Sequence, residues 1–98
     1  MLVLLIAQEQ SLCVCELTYA LEASQPKVSR HLAQLRQCEL LVDQRDGQWV
    51  YYQLSPQLPD WARRIIDSAQ QGCPAHLARL TQRLAAMGDR PTRRAALC

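Results

Sequence analysis

The thirteen residues SQPKVSRHLAQLR, Ser24 to Arg36, limit what this chain can fold into more than any other segment. Ser24 is a favourable helix N-cap, because its hydroxyl can accept from a backbone N–H left free in the first turn. Pro26 falls in that turn, where its missing N–H is harmless. Val28, Leu32 and Leu35 recur at i, i+4 and i+7, which makes one buried stripe of an amphipathic helix. Gln25, Lys27, Ser29, Arg30 and Gln34 fall largely outside the stripe. Upstream, Leu12 to Leu21 reads as a short helix with Leu17, Ala20 and Leu21 at helical spacing. Its start lies near Cys13 to Cys15, and Ala23 and Ser24 end it. A helix, a tight turn and a second helix with a polar, basic outer face make a helix-turn-helix pattern.

Charge singles out the same segment. The chain carries 11 Lys and Arg against 9 Asp and Glu, a net charge of +2, so no global basic field announces nucleic acid. Residues 1 to 23 hold Glu9, Glu16 and Glu22 and no base, whereas residues 24 to 36 hold Lys27, Arg30 and Arg36 and no acid. That reversal marks the second helix as the electropositive element.

Leu40 to Leu54, LLVDQRDGQWVYYQL, follows directly. Two β-rich runs flank Asp46-Gly47, a pair that tolerates positive φ and signals a hairpin. With those two as the loop, Arg45 would face Gln48, Asp43 would face Val50 and Leu41 would face Tyr52. The tip carries Arg45. A hairpin after a helix-turn-helix is the winged variant, so the predicted fold is mainly α with a β-hairpin wing (α+β).

Past Pro56 and Pro59, the residues Trp61, Ile65, Ile66 and Ala69 suit a long amphipathic helix from Asp60 to near Gly72. Leu77, Leu80 and Leu84 suggest one more helix, and residues 88 to 98 read as a flexible tail. The expected division is a winged helix-turn-helix DNA-binding and dimerisation domain over 1–72, then a C-terminal helix and tail over 73–98. Met1 to Ala7 is apolar but has no basic flank and is far shorter than the ~20 residues that cross a bilayer. It reads as the tail of a buried helix, whose abrupt start suggests preceding helical sequence absent from this chain. A domain of 98 residues buries only roughly two-thirds of its unfolded surface, so burial against a second copy is expected.

The helix from Ser24 fits the major groove of B-DNA, with its N-terminal residues reaching base edges. Gln25 can pair with adenine, Arg30 with guanine, and Ser29 with a base or a phosphate. Lys27, Arg36 and Arg45 are better placed to hold phosphates. Ser24, at the helix start, joins this DNA-facing set, and His31, beside the stripe, suits packing or a phosphate contact. The expected partner is a double-stranded operator with an inverted repeat, read by a homodimer.

The five cysteines are Cys13, Cys15, Cys38, Cys73 and Cys98. An odd number at irregular spacing does not make a secreted disulfide framework. With no export signal, reduced thiols in the cytoplasm are expected. Cys13 and Cys15 then stand out as soft ligands. At a helix start the backbone dipole should favour their thiolates and lower their pKa. Residues i and i+2 project about 200° apart on a helix but to one side of a strand. Both sulfurs can therefore meet one atom only where this turn is unwound or strand-like.

LCVCEL (Leu12 to Leu17), SQPKVSRHLAQLR (Ser24 to Arg36) and DGQWVYYQLSP (Asp46 to Pro56) together resemble the ArsR/SmtB family of winged-helix repressors, and CVCEL its arsenic-responsive branch. The resemblance covers roughly Leu2 to Ala69. It implies a homodimer that binds operator DNA and releases it when trivalent arsenic or antimony binds cysteine thiolates. It also implies dimer packing through terminal helices, here the Trp61 to Ala69 helix and an N-terminal one. Trivalent arsenic is thiophilic, which suits Cys13 and Cys15 as ligands. The branch has a third cysteine three residues after the second, and here that position is Thr18. Cys38, Cys73 or Cys98 of either protomer, a small-molecule thiol or hydroxide could complete the set, or the inducer could be an organoarsenical with one carbon substituent.

Two rivals remain at this level. The same fold could sense oxidants or reactive sulfur, for which Cys38 or Cys73 suits better than a strained Cys13–Cys15 link. A zinc-stabilised interaction module would draw on the cysteines, His31 and His76, but no spacing matches a zinc pattern. Nothing points to an enzyme, since there is no acidic pair, phosphate loop or nucleophile elbow.

Overall fold

A computed structural model describes residues 1–88. Cys98, and the predicted tail beyond Gly88, lie outside the described residues. In chain order the elements are α1 (Leu2–Glu9), β1 (Leu12–Cys13), α2 (Val14–Leu21), α3 (Gln25–Gln37), β2 (Leu41–Asp46), β3 (Trp49–Leu54), α4 (Asp60–Gly72) and α5 (Pro74–Ala86). The strands form one antiparallel sheet in the order β1-β3-β2. This is a winged helix-turn-helix, with α2 and α3 as the helix pair and β2–β3 as the wing.

The core is built from the apolar stripes of these helices. Leu5 and Ile6 of α1, Leu17 and Ala20 of α2, and Val28 and Leu32 of α3 are buried together with Leu12, Leu41, Leu80 and Leu84. Leu80 and Leu84 carry α5 into the same core as the helix pair. Among the described residues no helix is long and apolar enough to cross a membrane.

Ser24 caps α3 as expected, accepting from the Lys27 N–H at 3.4 Å, with Pro26 in the first turn. The far end closes on Glu39, whose φ is +62°. The Glu39 N–H donates to the Arg36 carbonyl and the Leu40 N–H to the Leu35 carbonyl, both at 3.0 Å, the paired bonds of a Schellman ending. The turn between α2 and α3 uses a second left-handed residue, Glu22 at φ 54°. Each left-handed carboxylate residue stands where glycine is the usual choice.

Two local expectations are corrected. Leu12 to Leu21 is not one helix, because Leu12 and Cys13 are extended and pair with Tyr52 and Tyr51 of β3, and the helix begins at Val14. The hairpin register is displaced. Asp46 pairs with Trp49, Arg45 with Val50, Asp43 with Tyr52 and Leu41 with Leu54, which leaves Gly47 and Gln48 as the turn. Only Gly47 of that pair takes positive φ, +65°, and a turn with glycine first needs just one such residue. The displacement is two residues, so each side chain keeps its predicted face.

Candidate nucleic-acid interface and thiol site

Helix α3 lies on the core through Val28 and Leu32, and Leu35 is half-buried. The rest of it is outward. Ser24, Gln25, Lys27, Ser29, Arg30, His31 and Arg36 are all exposed, and so is Arg45 on β2. The buried stripe thus fixes which side of the helix is offered to a partner. His31 is exposed beside the stripe, not packed into it. Arg36 donates to the Asp43 carboxylate of β2 at 3.2 Å, in an ion pair with side chains 54% and 40% exposed. That pair braces α3 against the wing, but solvent screening leaves it worth little in stability. Among the described residues, Lys27, Arg30 and Arg45 enter no ion pair.

Cys13 and Cys15 straddle the junction of β1 and α2. Cys13 is the extended N-cap residue of α2, at φ −93° and ψ 171°, and is buried. Its sulfur accepts from the Glu16 N–H, and the Glu16 carboxylate accepts from the Cys13 N–H at 2.9 Å. Cys15 lies in the first turn of α2 and opens into a surface recess of about 300 Å³, shared with Val14, Thr18, Tyr19 and Gln25. Thr18, one turn along, donates its hydroxyl to the Cys15 carbonyl at 2.9 Å. The recess thus brings Cys15 and the first residue of α3 to one wall.

One expectation about these thiols is corrected. Burial pushes the Cys13 thiol above its ordinary range, with the Glu16 carboxylate adding to the rise, and these outweigh the lowering by backbone N–H groups. The helix start alone would have lowered it, but the residue sits inside the fold and beside an anion. Cys13, Cys38 and Cys73 are free thiols. Cys15 is half-buried on an open recess, while Cys13 is enclosed.

Among the described residues, neither Cys38 nor Cys73 is brought to this site. Cys38 is the C-cap of α3. The thirteen residues of that helix span about 20 Å and separate it from Gln25. Cys73 joins α4 to α5, and its thiol donates to the Ala69 carbonyl at 3.2 Å. Among the described residues no three His, Cys, Asp or Glu side chains converge as a metal site.

The far end of α2 is held from α5. Arg83 donates to the Tyr19 carbonyl at 2.9 Å, lies 4.8 Å from the centre of the Tyr19 ring and pairs with Glu22 at 3.7 Å. Sequence reading missed Arg83, since nothing local marks it. It also missed Glu16, which had a signal, because a carboxylate three residues after an N-cap is the capping-box spacing.

Residues 1–42 match the family model described as bacterial regulatory protein, arsR family. The chain is 54% identical over 88 residues, 90% of its length, to the arsenic resistance transcriptional regulator ArsR1 of Pseudomonas putida, of which it covers 69%. The chain belongs to the arsR family. It is also 56% identical over 68 residues to the arsenical resistance operon repressor of Escherichia coli, covering 69% of this chain and 58% of that one. Among solved structures, reduced HlyU from Vibrio cholerae superposes with a TM-score of 0.61 at 31% identity, over 72% of each chain. The Pseudomonas and Escherichia relatives are named as a transcriptional regulator and an operon repressor, which agrees with the resemblance read from CVCEL and SRHL.

Proposed function

We propose that this arsR-family chain is a transcriptional repressor of arsenical resistance genes. It binds operator DNA through α3 and the wing and leaves it when trivalent arsenic or antimony is taken up by Cys13 and Cys15. One observation carries the reading: Cys15 of the thiol motif and Gln25 of the groove-facing helix line the same recess. A ligand seated on Cys15 touches the element that reads DNA, and differential contact of that kind is what allows a ligand to shift a binding equilibrium. Gln25, Ser29 and Arg30 serve as base readers. Ser24, Lys27, His31, Arg36 and Arg45 hold the backbone, with Arg36 exchanging Asp43 for phosphate.

The operator is an inverted repeat and the protein a homodimer. Helix α4 supports this, because only Ile66 of its apolar residues is buried while Trp61 and Ile65 are 63% and 60% exposed. An apolar face of this kind marks a surface that a second copy covers. A repressor acting on chromosomal operators works in the cytoplasm. With Thr18 in place of a third cysteine and Cys38 at the other end of α3, the third position on arsenic falls to Cys98, a thiol of the second protomer, hydroxide, a small thiol or a carbon substituent.

A mobility-shift assay on inverted-repeat operator DNA, with arsenite, antimonite and methylarsenite added in parallel to reduced protein, tests the reading. Release by a trivalent arsenical upholds it, and retention of DNA under all three refutes it. The open recess at Cys15 also suits a second reading, a repressor that answers oxidants. Release by a mild oxidant but not by arsenicals would select that one.

A further inference from the structure

Cys13 has two duties in the fold. Its backbone pairs with Tyr51 of β3, which pairs on its other side with Gln44 of β2, so Cys13 is tied to the wing. Its side chain caps α2 through the reciprocal bonds with Glu16, each side chain satisfying the other residue's backbone donor. Both residues are enclosed, Cys13 at 6% and Glu16 at 2% exposure. Cys15 opens outward into the recess with Thr18, Tyr19 and Gln25, and Cys13 does not line it. One sulfur is turned inward and capped, the other outward. A single arsenic atom can be held by both only after the Cys13 sulfur leaves its cap.

We infer that the Cys13–Glu16 capping box is a latch that the inducer must open, and that Glu16 is the positioning residue setting how much inducer is needed. The inference rests on the arsenical-responsive reading above and supplies its transmission step. Each As–S bond forms as a thiol proton joins a hydroxide leaving arsenous acid as water, with no change of oxidation state. The Glu16 N–H then loses its acceptor, and the start of α2 and the β1 pairing to the wing loosen together.

Linkage fixes the expected result. Removing the Glu16 half of the box favours the open form by about fivefold, the usual weight of one cap. The closed form still dominates without inducer, so operator affinity changes by less than about twofold. The arsenite concentration for half-release falls by about fivefold.

The test uses the reduced full chain on an operator fragment selected from random DNA, titrated with arsenite. Glu16→Ala should lower the half-release concentration, while Glu16→Gln, whose amide oxygen accepts the same N–H, should match wild type. Loss of fold stability alone would lower the threshold only in step with a matching loss of operator affinity, whereas the latch lowers it with operator affinity nearly unchanged. An unchanged threshold in Glu16→Ala, or an equal shift in Glu16→Gln, overturns the inference. Should Glu16→Ala not fold, hydrogen exchange on wild-type protein decides: faster exchange of the Glu16 amide on arsenite binding upholds the latch, and undiminished protection overturns it. A wild-type protein that takes up no arsenite removes the arsenical-responsive reading itself, and the latch with it.

Discussion

At the scale of single residues, Cys13 is held through both its backbone and its side chain. A serine there would complete the standard box with Glu16, since Ser-x-x-Glu is the usual capping pair. Cys13→Ser should therefore fold with stability within about 1 kcal/mol of wild type at neutral pH, as read by urea unfolding, while losing its response to arsenite. The raised thiol pKa adds a pH signature. Above the ordinary value of 9.0 the unfolded chain has lost this proton while the folded chain still holds it. Stability therefore falls as pH rises past that value through the folded pKa. Urea midpoints measured from neutral to alkaline pH should show the decline in wild type and a flatter course in Cys13→Ser. For DNA, Arg30→Ala should weaken specific operator binding by ~1–3 kcal/mol and relax preference at one base pair. Competition with scrambled DNA checks this, and wild-type discrimination would remove Arg30 from the readers.

At the scale of elements, two helix ends close on left-handed carboxylate residues. Glu39 follows α3 at φ +62° and gains nothing visible in return, so Glu39→Gly should raise stability by about 1 kcal/mol in thermal or urea unfolding. Periodicity and caps made the helices legible from residues alone. Ser24, Pro26 and the Val28–Leu32–Leu35 stripe located α3, and Trp61 to Ala69 and Leu77 to Leu84 located α4 and α5. What failed was governed by longer-range pairing. The extended Leu12–Cys13 segment exists because β3 offers it an edge, and no local pattern two residues long can announce that. The turn at Gly47-Gln48 lost out to Asp-Gly because both registers keep the same faces, so patterning could not choose between them. At the site, residue types and outward faces were legible, but the rise in the Cys13 pKa was not. It depends on burial and on the inward aim of Glu16, which only packing settles.

At the scale of the whole molecule, α4 is the element left unfinished. Its exposed Trp61 and Ile65 face a shallow apolar trough with Val3, Cys38, Leu40 and Leu58. Charge introduced there, as in Ile65→Glu, should shift sedimentation from dimer to monomer and abolish tight binding to a two-half-site operator, with binding to single half-sites little changed. A dimer that persists in this variant would place the interface elsewhere. The recess shared by Cys15 and Gln25 has a broader consequence. On the proposed function, a side chain that forms part of the wall around a heavy-atom ligand cannot be exchanged for the sake of a different base pair without altering what that wall accepts. Divergence of such proteins toward new promoters should therefore drag their chemical selectivity along, and engineering the two traits separately will require a second change at Thr18 or Tyr19 to restore the chamber.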